Sequence, residues 1–190
     1  MPKRTVRSID QYLTPEEIYF RFIEFDKPES MSDKTYLRYQ ALIALVYSSG
    51  LRISDVIRLK RSQFNFKADR EFVIVENVAV NKRRKDPIKI EIPLPRVGVF
   101  KPFTDVIIQH YKKRRGKELM FPLTRSGAYK AIRKATGKWC HYFRSQDFSY
   151  MVNTVRNVFA VARMKGVKNP QSLEPYYRST WKDHRESLKK

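Results

Sequence analysis

The twelve residues SSGLRISDVIRL, at positions 48–59, join two predicted helices through a short corner. The nearly continuous apolar pattern of residues 34–49 predicts a buried central helix. Gly50 follows it and suits the left-handed conformation that ends many helices. Arg52 is therefore predicted to lie in a rigid corner between two helices, where a solvated surface charge has no need to be.

The pattern around this corner predicts a mostly helical α+β fold. Ser54 is predicted to cap the helix after the corner, with Asp55 in its first turn, where a negative charge is favourable. A capping box of Thr14 and Glu17 predicts the start of an aromatic-rich helix over residues 14–25. Further helices are predicted over residues 103–116 and 125–137, within residues 143–165, and, after a short connection beyond Pro170, in the basic C-terminal segment.

Two segments have the composition of strands. Residues 71–80 (EFVIVENVAV) are rich in β-branched side chains, and residues 88–94 (IKIEIPL) alternate strictly. The turn NKRRKDP between them predicts a hairpin that directs positive charge outward. Residues 61–66 are a candidate third strand, so a small antiparallel sheet of about three strands is expected.

The charge balance indicates a polyanionic partner. The 190 residues contain 40 Lys and Arg against 19 Asp and Glu, a formal charge of +21, and 13% aromatic content favours one folded domain over a disordered tail. Residues 10–33 carry −5, so the remainder carries +26. Two clusters are predicted to contact phosphates, and they comprise Lys82, Arg83, Arg84 and Lys85 in the hairpin turn, and Lys112, Lys113, Arg114 and Arg115.

Several classes of protein are excluded by composition. Cys140 is the only cysteine, so an intrachain disulfide and a cysteine-rich zinc site are both ruled out. The three histidines lack ligand spacing, and neither a membrane-spanning run nor a secretory signal is present. The expectation is a protein without metal or cofactor, located in the cytoplasm, or with host DNA in a nucleoid or nucleus.

Several motifs together resemble the catalytic domain of the tyrosine recombinases, also called phage integrases. They are GLRISDVIRL (50–59), a strand pair with lysines in its turn, ELMFPLTRSGAYKAIRKA (118–135), HYFR (141–144) and a tyrosine near the C-terminus. The similarity covers residues 34–185. It implies DNA strand exchange without metal or cofactor, through a tyrosine that attacks a backbone phosphate and forms a 3′-phosphotyrosyl link.

The resemblance also implies roles for individual residues. Arg52 falls on the family's first arginine, and Asp55 on the acidic position that supports it. Lys82 falls on the hairpin lysine that donates a proton to the departing 5′ oxygen, with Lys85 as the alternative. Planar guanidinium groups suit this chemistry because they bind both non-bridging phosphate oxygens and oppose the charge that grows in the transition state.

The second arginine has two candidates. His141 and Arg144 match the family's His-x-x-Arg pair, and Arg144 precedes Tyr176 by 32 residues, about the family's spacing. Arg156 has a better local match, including Phe159 in an expected packing position, but it precedes Tyr176 by only 20 residues. Arg144 is preferred, since the shorter spacing would delete a helix.

The tyrosine that would act as nucleophile is also ambiguous, because Tyr176 and Tyr177 are adjacent. The Tyr-x-Arg pattern favours Tyr176. Either choice of arginine departs from the family pattern. The next histidine of the pattern is replaced by Ser145 if Arg144 is chosen or by Asn157 if Arg156 is chosen, and Val167 stands at a later His or Trp position. These departures keep open a second function, a DNA-binding protein derived from this fold without the chemistry.

The predicted organisation is an acidic N-terminal helix and linker over residues 1–33, followed by a catalytic domain over residues 34–190. The expectation is that these residues contain no separate DNA-clamping domain. The expected partners are double-stranded DNA and further copies of the chain, assembled on DNA as a dimer or tetramer.

Overall fold

The structure, a computed structural model, describes residues 12–80, 88–115 and 118–176. These residues form a mostly helical fold with one small antiparallel sheet, which confirms the predicted fold class. The α-helices are α1 (Pro15–Ile18), α2 (Asp33–Ser49), α3 (Ile53–Val56), α4 (Lys101–Lys112), α5 (Arg125–Thr136), α6 (Cys140–Val155) and α7 (Val158–Met164). The strands are β1 (Phe64–Asn65), β2 (Phe72–Val80) and β3 (Ile88–Pro95). A π-helical turn (Tyr19–Ile23) and 3-10 segments (Arg61–Gln63, Gly98–Phe100, Pro170–Tyr176) complete the described elements.

Helix α2 is the centre of the core. Every residue from Ala41 to Ser49 is buried, and the helix packs against α4 and α6. Ser32 caps its start by accepting a hydrogen bond from the Thr35 N–H, and Gly50 ends it with φ of 62°. The predicted buried helix and its glycine stop are both confirmed.

The acidic N-terminal segment packs on the same core. The predicted capping box is present: the Thr14 hydroxyl accepts from the Glu17 N–H, and the Glu17 carboxylate accepts from the Thr14 N–H. Ile18 and Ile23 are fully buried. The Phe22 ring lies 5.3 Å from that of Phe143 on α6 in an edge-on contact. Residues 15–23 therefore contribute apolar surface to the body of the fold.

The sheet has the order β1-β2-β3, with every pair antiparallel. Val75 pairs with Ile92, and buried residues of β2 alternate with more exposed ones on both sides of an irregularity between Val75 and Val78. The third strand is shorter than predicted, because Arg61–Gln63 forms a 3-10 turn and only Phe64–Asn65 pairs. Residues 81–87, the predicted turn of the hairpin, lie outside the described residues.

Three local predictions are wrong. Ser54 does not cap α3, because the helix begins at Ile53 and Arg52 occupies the capping position, where its side chain makes no capping hydrogen bond. Helix α4 ends at Lys112, short of the predicted 116. The stretch predicted within residues 143–165 is two helices, since Arg156 adopts a left-handed conformation with φ of 54° and ends α6.

The final basic helix was predicted in the segment that includes residues 177–190, which lie outside the described residues. Within residues 12–80, 88–115 and 118–176, no helix combines the length and apolar character needed to cross a bilayer.

Candidate active site

The corner after α2 holds Arg52 between two buried neighbours. Leu51 and Ile53 are 1% and 4% exposed, so the backbone on each side of the arginine is anchored in the core. The Arg52 carbonyl accepts a hydrogen bond from the N–H of Asp55 at 2.8 Å, which closes the first turn of α3. Asp55 is itself buried. The corner thus fixes the backbone of an arginine whose side chain remains exposed.

Helix α6 covers this corner directly. The Arg144 guanidinium donates a hydrogen bond from Nη1 to the Gly50 carbonyl. A Cβ atom at Gly50 would overlap the carboxylate of Asp147 and approach Phe148 Cε1 to 3.1 Å. Glycine is therefore required at position 50 for two reasons, its positive φ and the closeness of α6. This contact brings Arg144 and Arg52 to the same side of the molecule.

A buried ion pair lies beneath the corner. The Lys165 ammonium contacts Asp147 Oδ1 at 2.9 Å and donates to the Ser48 carbonyl at 3.2 Å. Asp147 is fully buried and Lys165 is 7% exposed. Burial raises the pKa of Asp147, and the ammonium of Lys165 acts in the opposite direction. The pair connects α6, the end of α2 and the turn after α7.

A cavity of about 450 Å³ opens beside the corner. Its lining includes four of the five side chains predicted for catalysis, which are Arg52, His141, Arg144 and Tyr176. Burial, and after it the charge of Arg52, lowers the pKa of Arg144 to about 10. Arg144 is still a cation at neutral pH. Two guanidinium groups that repel each other thus line one cavity, an arrangement that an anion would stabilise.

Tyr176 ends the 3-10 segment and reaches the cavity. Its carbonyl accepts a hydrogen bond from Asn153 Nδ2 at 2.9 Å, and its ring packs edge-on against Phe148 at 5.9 Å between centroids. The phenol oxygen lies 3.4 Å from the hydroxyl of Ser145, which in turn lies 3.0 Å from Nδ1 of His141. Helix α6 therefore supplies contacts to both ends of this tyrosine.

A sequence profile of the phage integrase family matches residues 11–182. This chain belongs to the phage integrase family. No curated protein sequence matches it significantly.

Solved structures of tyrosine recombinases share the fold of this integrase-family chain. The XerH site-specific recombinase bound to its difH substrate, before cleavage, has a TM-score of 0.67 at 16% identity, over 98% of this chain and 55% of XerH. The Tn1549 transposon integrase in complex with circular intermediate DNA has a TM-score of 0.63 at 16% identity, over 100% of this chain and 66% of the Tn1549 integrase chain. A lambda integrase dimer bound to a COC′ core site has a TM-score of 0.53 at 17% identity, over 92% of this chain and 62% of the lambda integrase chain. This chain thus spans little more than half of XerH and about two thirds of the other two.

The two candidates for the second arginine lie at different places in the structure. Arg144 lines the cavity with Arg52, His141 and Tyr176. Arg156 is exposed at the end of α6 and is not among the lining residues. Phe159, expected to pack if Arg156 took that role, is 70% exposed, so the expectation of packing is wrong.

The predicted cationic clusters lie elsewhere. Lys112, Lys113 and Arg115 are exposed at the end of α4, and Arg114 forms an ion pair with Glu118 at 2.9 Å. None of these four residues lines the cavity. The other predicted site residues, which are Lys82, Arg83, Arg84, Lys85 and Tyr177, lie outside the described residues.

Sequence reasoning missed Ser145, which contacts His141 and Tyr176, and Arg125, which lines the cavity itself. Arg125 lines it from the first turn of α5, where the helix dipole disfavours a cation. That unfavourable placement, directly after the capping Thr124, was a signal available from the sequence. Ser145 was noted only as a lost histidine, and no local pattern indicates that its hydroxyl would lie between His141 and Tyr176. Among the described residues, no group of three or more His, Cys, Asp or Glu side chains could hold a metal ion.

Proposed function

We propose that this chain breaks and rejoins DNA strands through a covalent link between Tyr176 and a backbone phosphate. The observation that carries the proposal is one cavity lined by Arg52, Arg144 and Tyr176. The two guanidinium forks would bind the non-bridging oxygens of one phosphate and oppose the negative charge that develops as the phenol attacks. Arg144, rather than Arg156, is the proposed second arginine because it lines this cavity.

In the proposed reaction, the Tyr176 oxygen forms a bond to phosphorus and the bond from phosphorus to the 5′ oxygen breaks. The departing oxygen takes a proton from Lys82, or from Lys85. The position of the strand residue that precedes this turn supports a donor there. A Cβ at Gly166 would lie 2.7 Å from Val80, the last residue of β2, and Val167, next to Gly166 in the chain, lines the cavity. The sheet end that leads into the turn therefore packs beside the site. Attack by the 5′ hydroxyl of another strand reverses the step without cofactor or metal.

The proposed substrate is a pair of double-stranded DNA sites of defined sequence, and the proposed biological role is recombination or integration of a mobile element. The chain's excess of 21 positive charges supports DNA as the partner. Lys112, Lys113 and Arg115, with the cations at 82–85, would contact phosphates outside the cavity. Work on two duplexes calls for several copies of the chain, so a dimer or tetramer on DNA is part of the proposal. The protein would be found with that DNA, in the cytoplasm or in a nucleoid or nucleus.

The test is covalent trapping on a nicked suicide substrate, with relaxation of a supercoiled plasmid in the absence of ATP and magnesium as a second readout. The wild type and Tyr177→Phe are expected to form the adduct, and Tyr176→Phe to form none. Persistence of the adduct in Tyr176→Phe would reject Tyr176 as the nucleophile.

A second candidate function, DNA binding without chemistry, is favoured by one observation: an apolar side chain, Val167, lines the cavity where the family uses His or Trp. It predicts a retarded DNA band with neither adduct nor relaxation.

A further inference from the structure

Ser145 lies between the side chains of His141 and Tyr176, which both line the cavity. Its Oγ lies 3.0 Å from Nδ1 of His141 and 3.4 Å from the hydroxyl of Tyr176. The residue is fully buried, one helical turn after His141 on α6. We propose that Ser145 relays the phenolic proton of Tyr176 to His141 during attack on the phosphate. This inference rests on the proposed function and concerns how the nucleophile is activated.

The proton balance of the relay is complete. As the Tyr176 oxygen bonds to phosphorus, its proton passes to Ser145 Oγ, and the proton that Ser145 carried passes to Nδ1 of His141. Serine is unchanged, the imidazole becomes a cation, and no co-reactant is needed. Rejoining runs the same transfer backwards, which returns the proton to the phenol as the bond from oxygen to phosphorus breaks.

The local geometry suits a relay because a hydroxyl both donates and accepts. One hydroxyl carries one donor and two acceptor sites, so Ser145 accepts from the phenol while it donates to the imidazole. With no exposed surface of its own, Ser145 is held away from competing bulk water. A general base placed in this way accelerates proton transfer by about 100- to 10,000-fold in enzymes.

The charged neighbours of His141 keep their charge over the pH range in which histidine titrates. Arg52, Arg125 and Arg144 line the same cavity, and Arg21 and Lys138 line the adjoining cavity that His141 also borders. Arginine and lysine remain cations between pH 5 and 8, whereas histidine changes charge there. The pH dependence of cleavage therefore reports on the acceptor of the relay.

The deciding variant is Ser145→Ala, and Ser149→Ala, a buried serine one turn further along α6, is its control. Single-turnover formation of the covalent adduct is expected to slow by about 10- to 100-fold in Ser145→Ala, because water replaces the relay only in part. Ser149→Ala should match the wild type. The adduct rate of the wild type should rise with pH between about 5 and 8, and Ser145→Ala should lose most of that rise.

A substrate with a bridging 5′ sulfur separates the relay from donation to the leaving group. Sulfur leaves without protonation, so a loss caused by Ser145→Ala should persist on this substrate. His141→Gln should cause a similar loss, and the double variant should be no slower than either single variant. A rate of Ser145→Ala within twofold of Ser149→Ala, or full recovery on the sulfur substrate, would overturn the relay. Failure of the wild type to form any adduct would instead reject the proposed function.

Discussion

Two helix corners in this molecule each combine a left-handed residue with an arginine, yet only one builds a cavity. At the first, Gly50 has φ of 62° and Arg52 follows it. At the second, Arg156 is itself the left-handed residue, with φ of 54°. The first corner is covered by Asp147 and Phe148 of α6, whereas the second is exposed.

The difference shows that the turn alone does not decide where an arginine points. Arg52 is placed because its neighbours are buried and because a second helix packs on the glycine before it. Arg144 reaches the same cavity from that second helix and donates to the Gly50 carbonyl. Arg156 has the local conformation without the covering helix, so its side chain remains at the surface.

The ion pair beneath the first corner provides the largest expected effect. Lys165→Met is expected to lower the free energy of unfolding by about 3–5 kcal/mol, because it leaves a buried carboxylate unpaired. Urea denaturation would measure the change, and Lys168→Met, an exposed lysine nearby, should change stability by less than about 0.5 kcal/mol.

The same variant has a pH signature with a definite sign. Burial raises the pKa of Asp147 above its ordinary value, and loss of the ammonium removes the opposing influence. The folded state of Lys165→Met would then bind a proton at a pH where the unfolded chain does not. In the wild-type fold, Asp147 already has a pKa of about 6. The deficit of Lys165→Met relative to the wild type should therefore shrink as the pH falls toward about 6 and stay constant below it, because both folded states are then protonated at Asp147. A deficit independent of pH would argue that Asp147 carries no charge in the fold.

The next effect is on adduct formation. Arg52→Ala and Arg144→Ala are each expected to slow covalent trapping by about 100- to 1,000-fold, the range for loss of one donor to a developing oxyanion. Arg156→Ala should change the rate by less than about fivefold, as expected of one exposed charge. Equal losses at Arg156 and Arg144 would contradict the assignment of the cavity.

The last prediction concerns the stability of variants at three left-handed backbone positions. Gly50→Ala should cost roughly 2–4 kcal/mol, because a positive φ adds to an overlap with Asp147. Gly137→Ala has the same strain, with φ of 67° but no atom within 4 Å, and should cost only about 1 kcal/mol. Arg156→Gly should raise the free energy of unfolding by about 0.5–1 kcal/mol, because glycine adopts the left-handed backbone conformation without strain. Thermal unfolding of the three variants would order them, and equal costs at Gly50 and Gly137 would show that α6 yields at the first corner.

The sequence correctly predicted those features of the fold that depend only on neighbouring residues in the chain. The capping box at Thr14 and the glycine stop at Gly50 were correct because both depend on groups within one turn of chain. The break at Arg156 was missed because a left-handed arginine carries no sequence signature. The cap of α3 was predicted at Ser54 but lies at Arg52. A helix of four residues is too short to show a periodic apolar pattern, so the sequence did not reveal where it begins.

By itself, the sequence determined the helical character, the three-stranded hairpin region, the cationic balance and the resemblance that singled out Arg52, His141, Arg144 and Tyr176. Only the tertiary structure decided that these four meet at one cavity while Arg156 does not, and that Ser145 lies between a histidine and a tyrosine. The physical reason is that periodicity and caps act over a few residues. The contacts of α6 with the Gly50 corner, in contrast, join residues 94 or more apart in the chain.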